Sequence, residues 1–84
     1  MNNCFVEHVA TVNSACLLYI MEYLDDVKHW FDMRTRRCGK GMHEVRIVTE
    51  VGNSKAFDNV QFLAYLKFDV EWERSVRYER LPKM

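Results

Sequence analysis

The stretch Val60–Trp72, VQFLAYLKFDVEW, decides the fold predicted from this sequence. Apolar residues occupy all of its even positions, namely Val60, Phe62, Ala64, Leu66, Phe68, Val70 and Trp72. Side chains of a β-strand alternate between its two faces, so this pattern is typical of a strand with one buried face. The alternative is a helix through the same residues, because Phe62, Leu66 and Val70 also lie four apart and the neighbouring residues favour helices. The complete alternation favours the strand.

The residues before and after this stretch extend the strand pattern. In Glu44–Val51, EVRIVTEV, residues 45, 47, 49 and 51 share one face, and Gly52 with Asn53 can form a tight turn. Such a turn would pair position 45 with position 60 and align the apolar faces of two strands. Ser75–Leu81, SVRYERL, can then fold back as a last strand opposite Trp72. The sequence therefore predicts a three-stranded antiparallel meander.

A helix is predicted over about residues 14 to 34. Apolar residues recur at intervals of three and four at Leu17, Ile20, Leu24, Val27 and Phe31, which is the spacing of one helix face. Asn13 or Ser14 can provide the N-cap oxygen, and Gly39 and Gly41 lie beyond the far end, where helices commonly stop.

The N-terminal segment Cys4–Asn13, CFVEHVATVN, fits either a strand or a helix by spacing, and its valine and threonine content favours a strand. The predicted fold class is therefore α+β: one long helix packed on a small antiparallel β-meander of three strands, with the N-terminal segment as a candidate fourth. We expect residues 1–84 to form one compact αβ domain, because a chain of 84 residues has room for a single core.

The alternation also predicts which residues form the core. The expected inner face of the sheet contains Val45, Ile47, Val60, Phe62, Leu66, Phe68 and Trp72. Replacing Phe62 or Leu66 by alanine should then cost roughly 2–5 kcal/mol, as for other large core side chains.

Composition excludes several functional classes. The chain has 12 basic and 12 acidic residues, so it has no overall attraction to nucleic acid or anionic membranes. Residues 1–33 have a balance of minus four and residues 34–46 a balance of plus four, which allows the chain to be self-complementary. Three cysteines without a close pair fit reduced thiols, and no apolar run resembles a signal peptide or a membrane span. We expect a cytoplasmic protein.

The segment Arg34–Arg46 concentrates basic charge at Arg34, Arg36, Arg37, Lys40 and Arg46. A nucleotide-binding P-loop requires G-x-x-x-x-G-K-[ST] before a helix, and this segment has neither that spacing nor a following helix. A structural zinc site needs closely spaced ligand pairs, which Cys38 and His43 do not form. We therefore expect no metal, no cofactor and no catalytic group, and interpret the segment as a solvated loop that could contact phosphates or an acidic partner.

Apolar residues on the predicted outer face of the sheet indicate an interface. In the predicted hairpin, this face contains Val48, Phe57, Leu63 and Tyr65, where a sheet covered on one side should be polar. Exposed apolar clusters commonly mark interaction sites. The alternative is that the N-terminal segment or a bend in the strand covers these residues.

These observations favour a non-enzymatic protein-binding module, such as an inhibitor or adaptor that occludes the surface of a partner. Phage proteins that inhibit host enzymes are of this general type, and no motif in the sequence matches a family. The expected partner is another protein or a second copy of the chain in a homodimer. The alternative function is nucleic-acid binding through the basic segment 34–46.

Overall fold

The computed structural model describes residues 3–25, 31–52 and 55–80. Four strands and two helices follow one another in this part of the chain: β1 (Asn3–Asn13), α1 (Ser14–Asp25), β2 (Phe31–Gly39), β3 (Met42–Glu50), α2 (Lys55–Phe68) and β4 (Arg74–Arg80).

The four strands form one antiparallel sheet in the order β2-β3-β1-β4. The central strand β1 pairs with both β3 and β4, so that Glu7 lies between Val48 and Val76. The element order β-α-β-β-α-β with this sheet order is the ferredoxin-like arrangement. Both helices pack on one face of the sheet. No helix within residues 3–25, 31–52 and 55–80 covers the opposite face, which is called the open face below.

The core lies between the helices and the inner face of the sheet. It contains Ala10, Val12, Cys16, Ile20, Leu24, Val45, Ile47, Ala56, Phe57 and Val60. Its members come from β1, α1, β3 and α2, so each of these elements is held by burial of apolar side chains, the main favourable contribution to folding. Burial also raises the pKa of the Cys16 thiol, which keeps this cysteine protonated and unreactive.

Several predictions are confirmed. The N-terminal segment is a strand, residues 42–50 form the strand predicted near residue 44, and a last strand forms at residues 74–80. The predicted three-stranded meander is wrong, because this last strand pairs with β1 rather than folding back opposite Trp72, and Leu81 lies outside the described residues. Helix α1 begins at Ser14, where the Asn13 Oδ1 atom accepts a hydrogen bond from the Cys16 backbone N–H at 2.8 Å. Asn13 is therefore the N-cap residue.

The prediction of one long helix over residues 14–34 is wrong. Helix α1 ends at Asp25 and residues 31–39 form β2, while Val27 lies outside the described residues. Glu22 and Asp25 in the last turn are unfavourable next to the negative end of the helix dipole. The basic segment is accordingly a β2–β3 hairpin, with its turn at Lys40 and at Gly41, whose φ is 71°.

The strand predicted over Val60–Trp72 is also wrong, because residues 55–68 form helix α2. Its buried residues, Ala56, Phe57, Val60 and Ala64, follow the spacing of one helix face. Phe62 and Leu66, predicted to be core, are 61% and 64% exposed. The predicted pairing of Val45 with Val60 is likewise wrong, since Val45 pairs with Ala10 and Thr35. Asn53 of the predicted turn lies outside the described residues.

Helix α2 ends through a left-handed residue. Asp69 has a φ of 53°, and its backbone N–H donates to the Tyr65 carbonyl at 3.0 Å. This is the αL C-cap, in which a residue of positive φ reverses the chain after the helix. The following residues therefore run back along α2 toward β4.

We expect Asp69→Val to lower the free energy of unfolding by about 1–2 kcal/mol, because a β-branched residue is strained at positive φ. Asp69→Gly should preserve the free energy of unfolding, because glycine adopts this conformation without strain. Urea unfolding of both variants tests the cap. Equal losses of unfolding free energy in the two variants would show that the aspartate side chain, and not the backbone conformation, stabilises the cap.

Candidate partner-binding groove

A groove of about 580 Å³ lies between helix α2 and the chain that follows it. One wall is a stripe of α2 formed by Asp58, Gln61, Phe62 and Tyr65. Residues at these intervals of three, four and seven share one side of a helix. This stripe lies beside the buried face of α2, so the groove borders the core without entering it.

The second wall is formed by Val70, Glu71 and Trp72. Both ends of this segment are fixed by backbone hydrogen bonds: the Asp69 N–H donates to Tyr65, and the Glu73 N–H donates to the Val9 carbonyl of β1 at 2.7 Å. Val70 and Trp72 also pack against the core. The wall is therefore held in place before any partner binds, which lowers the entropic cost of binding.

The groove combines apolar area with negative charge. Phe62 and Tyr65 are 61% and 55% exposed, although both are large apolar or aromatic side chains. Asp58 and Glu71 are the charged residues of the lining. A ligand complementary to this surface has an apolar or aromatic group flanked by positive charge.

An aromatic stack supports the groove from beneath. The Trp72 ring meets the Phe57 ring edge-on, with centroids 4.9 Å apart, and Phe57 stacks on His8 at 3.4 Å and 8°. His8 Nδ1 and Ser75 Oγ share a hydrogen bond of 2.7 Å. These contacts join β1, α2 and β4 and fix the position of Trp72.

Burial lowers the pKa of His8 below its usual value of 6.5, and the nearby carboxylate of Asp58 opposes this shift. His8 Nε2 is buried and has no hydrogen-bond partner among the described residues. Neutral His8 is therefore the form that the folded structure favours.

The free energy of unfolding should fall as the pH is lowered from 7 to 5. Because the folded pKa of His8 is lowered, the unfolded chain binds more protons in this range. The contribution of neutral His8 to the free energy of unfolding is complete above about pH 6.5, the pKa of histidine in the unfolded chain. This contribution is lost as the pH falls through the lower pKa of His8 in the folded protein. Urea unfolding of the wild type and of His8→Gln at each pH tests this prediction. If the free energy of unfolding of the variant falls as steeply with pH as that of the wild type, other groups cause the pH dependence.

The structure separates the four residues predicted to bind a partner. Phe57 is buried in the core, Leu63 is half-buried on α2, and Tyr65 is exposed in the groove wall. Val48 lies on β3, half-buried on the open face of the sheet. The common strand face on which they were placed does not exist, because three of the four belong to α2.

The five basic residues also divide between surfaces. Three of them, Arg34, Arg36 and Arg46, lie on the open sheet face, and Lys40 lies in the hairpin turn. Arg37 lies opposite His43 in the strand register, on the side of the sheet that the helices cover. Within the sheet, Arg46 donates to Glu7 Oε1 at 2.6 Å and to Glu44 Oε1 at 2.8 Å, and Arg36 contacts Glu44 at 3.3 Å.

These ion pairs neutralise part of the basic charge. The hydrogen bond from Arg46 lowers the pKa of Glu44, and the charges of Arg36 and Arg46 act in the same direction, so the carboxylate stays ionised at neutral pH. The arginines of β2 and β3 therefore do not form a purely cationic surface.

Two other kinds of site are not found in the described part of the chain. No group of three or more histidine, cysteine, aspartate or glutamate side chains there could hold a metal ion. No helix within residues 3–25, 31–52 and 55–80 is long and apolar enough to cross a membrane.

No protein-family model matches the sequence, and no curated protein matches it. The fold is similar to that of LarC2, the C-terminal domain of a cyclometallase involved in synthesis of the NPN cofactor of lactate racemase, with a TM-score of 0.62 and 11% identity. That match covers 96% of this chain and 58% of the LarC2 chain. The C-terminal domain of MgtC from Mycobacterium tuberculosis gives a TM-score of 0.50 at 10% identity, over 95% of this chain and 88% of that one.

These comparisons establish a small α+β fold with a four-stranded antiparallel sheet and two helices. At such low identity they concern the fold alone.

Sequence reasoning missed most of the groove. The alternation places Phe62 and Trp72 in the core and Val70 on the same strand face, and only Tyr65 is predicted as a contact residue. Trp72 does pack against the core, and it lines the groove as well. The usable signal was the helical spacing of residues 58, 61, 62 and 65, which is informative only once residues 55–68 are recognised as a helix.

Proposed function

We propose that this protein is a non-enzymatic protein-binding module, an inhibitor or adaptor. It binds a segment of its partner in the groove between helix α2 and residues 70–72, here called the α2 groove, and so occludes that segment of the partner. The observation that carries this proposal is the exposure of Phe62 and Tyr65 beside Val70 and Trp72 in one groove. Exposed apolar clusters on small proteins commonly mark binding sites, and aromatic anchors supply much of the affinity at interfaces.

The preferred occupant is a peptide segment with an apolar or aromatic anchor next to lysine or arginine. The groove is open along its side, which suits an extended or helical segment better than a small molecule, because small ligands are largely enclosed by their sites. Asp58 and Glu71 provide the complementary charge, which increases the association rate and fixes orientation.

Selection from a displayed library of random short peptides tests this specificity. We expect the peptides enriched on the wild-type chain to combine an apolar or aromatic residue with lysine or arginine. Glu71→Lys should weaken their binding at least about tenfold, as expected for a charge reversal at an interface. Glu73→Lys is the matched control, since Glu73 is exposed and lies outside the groove lining.

Enrichment of acidic peptides, or equal weakening by both charge reversals, would contradict the proposed groove. In the first case the arginines of the β2–β3 hairpin would form the binding surface, and in the second the effect would come from the net charge of the chain.

Nucleic-acid binding is the second proposal, supported by the exposure of Arg34, Arg37 and Lys40 around one hairpin. It is weaker because Arg36 and Arg46 are engaged by Glu7 and Glu44. Phosphate binding by this hairpin would have a steep salt dependence that charge removal at Arg34 flattens.

A further inference from the structure

The open face of the sheet carries opposite charges in two adjacent rows. The strand registers define an acidic row, Asp32, Val48, Glu7 and Val76, and a basic row, Arg34, Arg46, Val9 and Arg74. Residues opposite one another in paired strands project to the same face. Glu7, Asp32, Arg34, Arg46 and Val48 also line one concavity of this face, about 200 Å³ in volume.

We propose that this face binds the same face of a second copy of the chain. A two-fold axis parallel to the rows and midway between them would place the acidic row of each copy on the basic row of the other. At the β2 end of the rows, Asp32 of one copy would lie next to Arg34 of its partner, and the same contact would recur by symmetry.

The ion pairs within the sheet support this arrangement. Arg46 is held between Glu7 and Glu44, which fixes the centre of the face. Asp32 and Arg34 are both exposed, and neither has an ion-pair partner within residues 3–25, 31–52 and 55–80. The charges at the β2 end are therefore available to a second copy.

Apolar side chains supply the area between the charges. Val48 and Tyr78 are half-buried and Val76 is 49% exposed. Neighbouring strands lie about 4.8 Å apart, and residues on one face of a strand recur about every 6.8 Å. An interface of four strands by four such rows therefore covers roughly 500 Å² of the open face of each copy. The roughly 1,000 Å² buried in total is near the lower limit for a specific interface, so the dimer should be weak and dependent on concentration.

Association through strand edges is the less favourable arrangement. The edge strand β2 carries Arg34, Arg36 and Arg37, and β4 carries Arg74 and Arg77. Like charges on both edges disfavour pairing of a strand with its own copy, a common protection of sheet edges.

A charge-exchange experiment tests the proposed contact. Sedimentation equilibrium of the wild type should give a mass that rises with concentration toward twice the 10.1 kDa of one chain. Asp32→Arg and Arg34→Asp should each weaken association at least about tenfold, because each places like charges together twice in the dimer. An equimolar mixture of the two variants should dimerise again, since both contacts are then between opposite charges.

Arg37→Asp is the matched control, because Arg37 lies on the same strand and belongs to the helix side of the sheet. It should dimerise as the wild type does, and thermal unfolding of every variant should show the same folded structure. A wild-type chain that keeps the mass of one copy up to about 500 µM would overturn the proposal. So would a mixture that fails to regain association. Loss of oligonucleotide binding in Arg34→Asp, with no dimer in any sample, would assign the face to nucleic acid instead.

Discussion

Phe57→Ala is expected to lower the free energy of unfolding by about 3–5 kcal/mol, as truncation of a buried phenylalanine usually does. Phe57 is 3% exposed and lies between the rings of His8 and Trp72. Its removal would leave a cavity where β1, α2 and the segment before β4 meet. A domain of this size has a total stability of about 5–15 kcal/mol, so this is a large share of it.

Phe62→Ala is the matched control and should change the free energy of unfolding by less than about 0.5 kcal/mol, as exposed substitutions do. Both phenylalanines belong to α2, and Phe62 is 61% exposed. Urea unfolding followed by circular dichroism measures both changes. If Phe57→Ala fails to fold, Phe57→Leu provides a milder loss for comparison. Similar losses at the two positions would contradict the helical packing of residues 55–68.

The second large effect is expected in binding. Phe62→Ser should weaken binding of a peptide selected on the wild-type chain by at least about tenfold, because truncating an apolar anchor commonly costs more than 1 kcal/mol. Phe62 lines the groove and its exposed ring has little part in the core. Isothermal titration calorimetry measures the loss, and the melting temperature of the variant should stay close to that of the wild type.

Leu66→Ser is the matched control for this prediction. Leu66 is 64% exposed on the same helix, four residues further on, and lies outside the groove lining. Its replacement removes a similar apolar side chain from α2 and should leave the affinity unchanged. Equal weakening by the two variants would mean that the peptide follows the exposed side of α2 rather than the groove.

Strands β3 and β4 could be predicted from the sequence because each combines β-favouring residues with alternation. Strand β1 was favoured by its valine and threonine content alone, since its spacing also fits a helix. Val45 and Ile47 are buried as that alternation requires. The start of α1 was also predictable, since Asn13 is a strong N-cap residue.

Strand β2 could not be recognised for a physical reason. The apolar spacing of α1 continues in the sequence through Val27 and Phe31, so periodicity does not mark the end of the helix. The acidic residues at the end of α1 were the available signal, and they indicate a helix end only weakly.

Helix α2 was misassigned because two of its large apolar side chains are exposed. Its exposed side carries Phe62 and Leu66, and counting these residues as core completed a strand-like alternation. Exposed apolar residues break the rule that apolar residues are buried, and of the two residues that misled the fold prediction only Phe62 lines the groove. Val70, Glu71 and Trp72 form the second wall of the groove only because the chain reverses at Asp69. No periodic pattern in the sequence reveals this reversal.

Mapping of a selected peptide on the ¹⁵N-labelled protein by NMR tests the central claim, partner binding in the α2 groove, most directly. The account predicts that the largest amide and indole shift changes occur at Phe62, Tyr65, Val70 and Trp72. Changes concentrated on the open face of the sheet, around Arg34, with none in the groove, would contradict it.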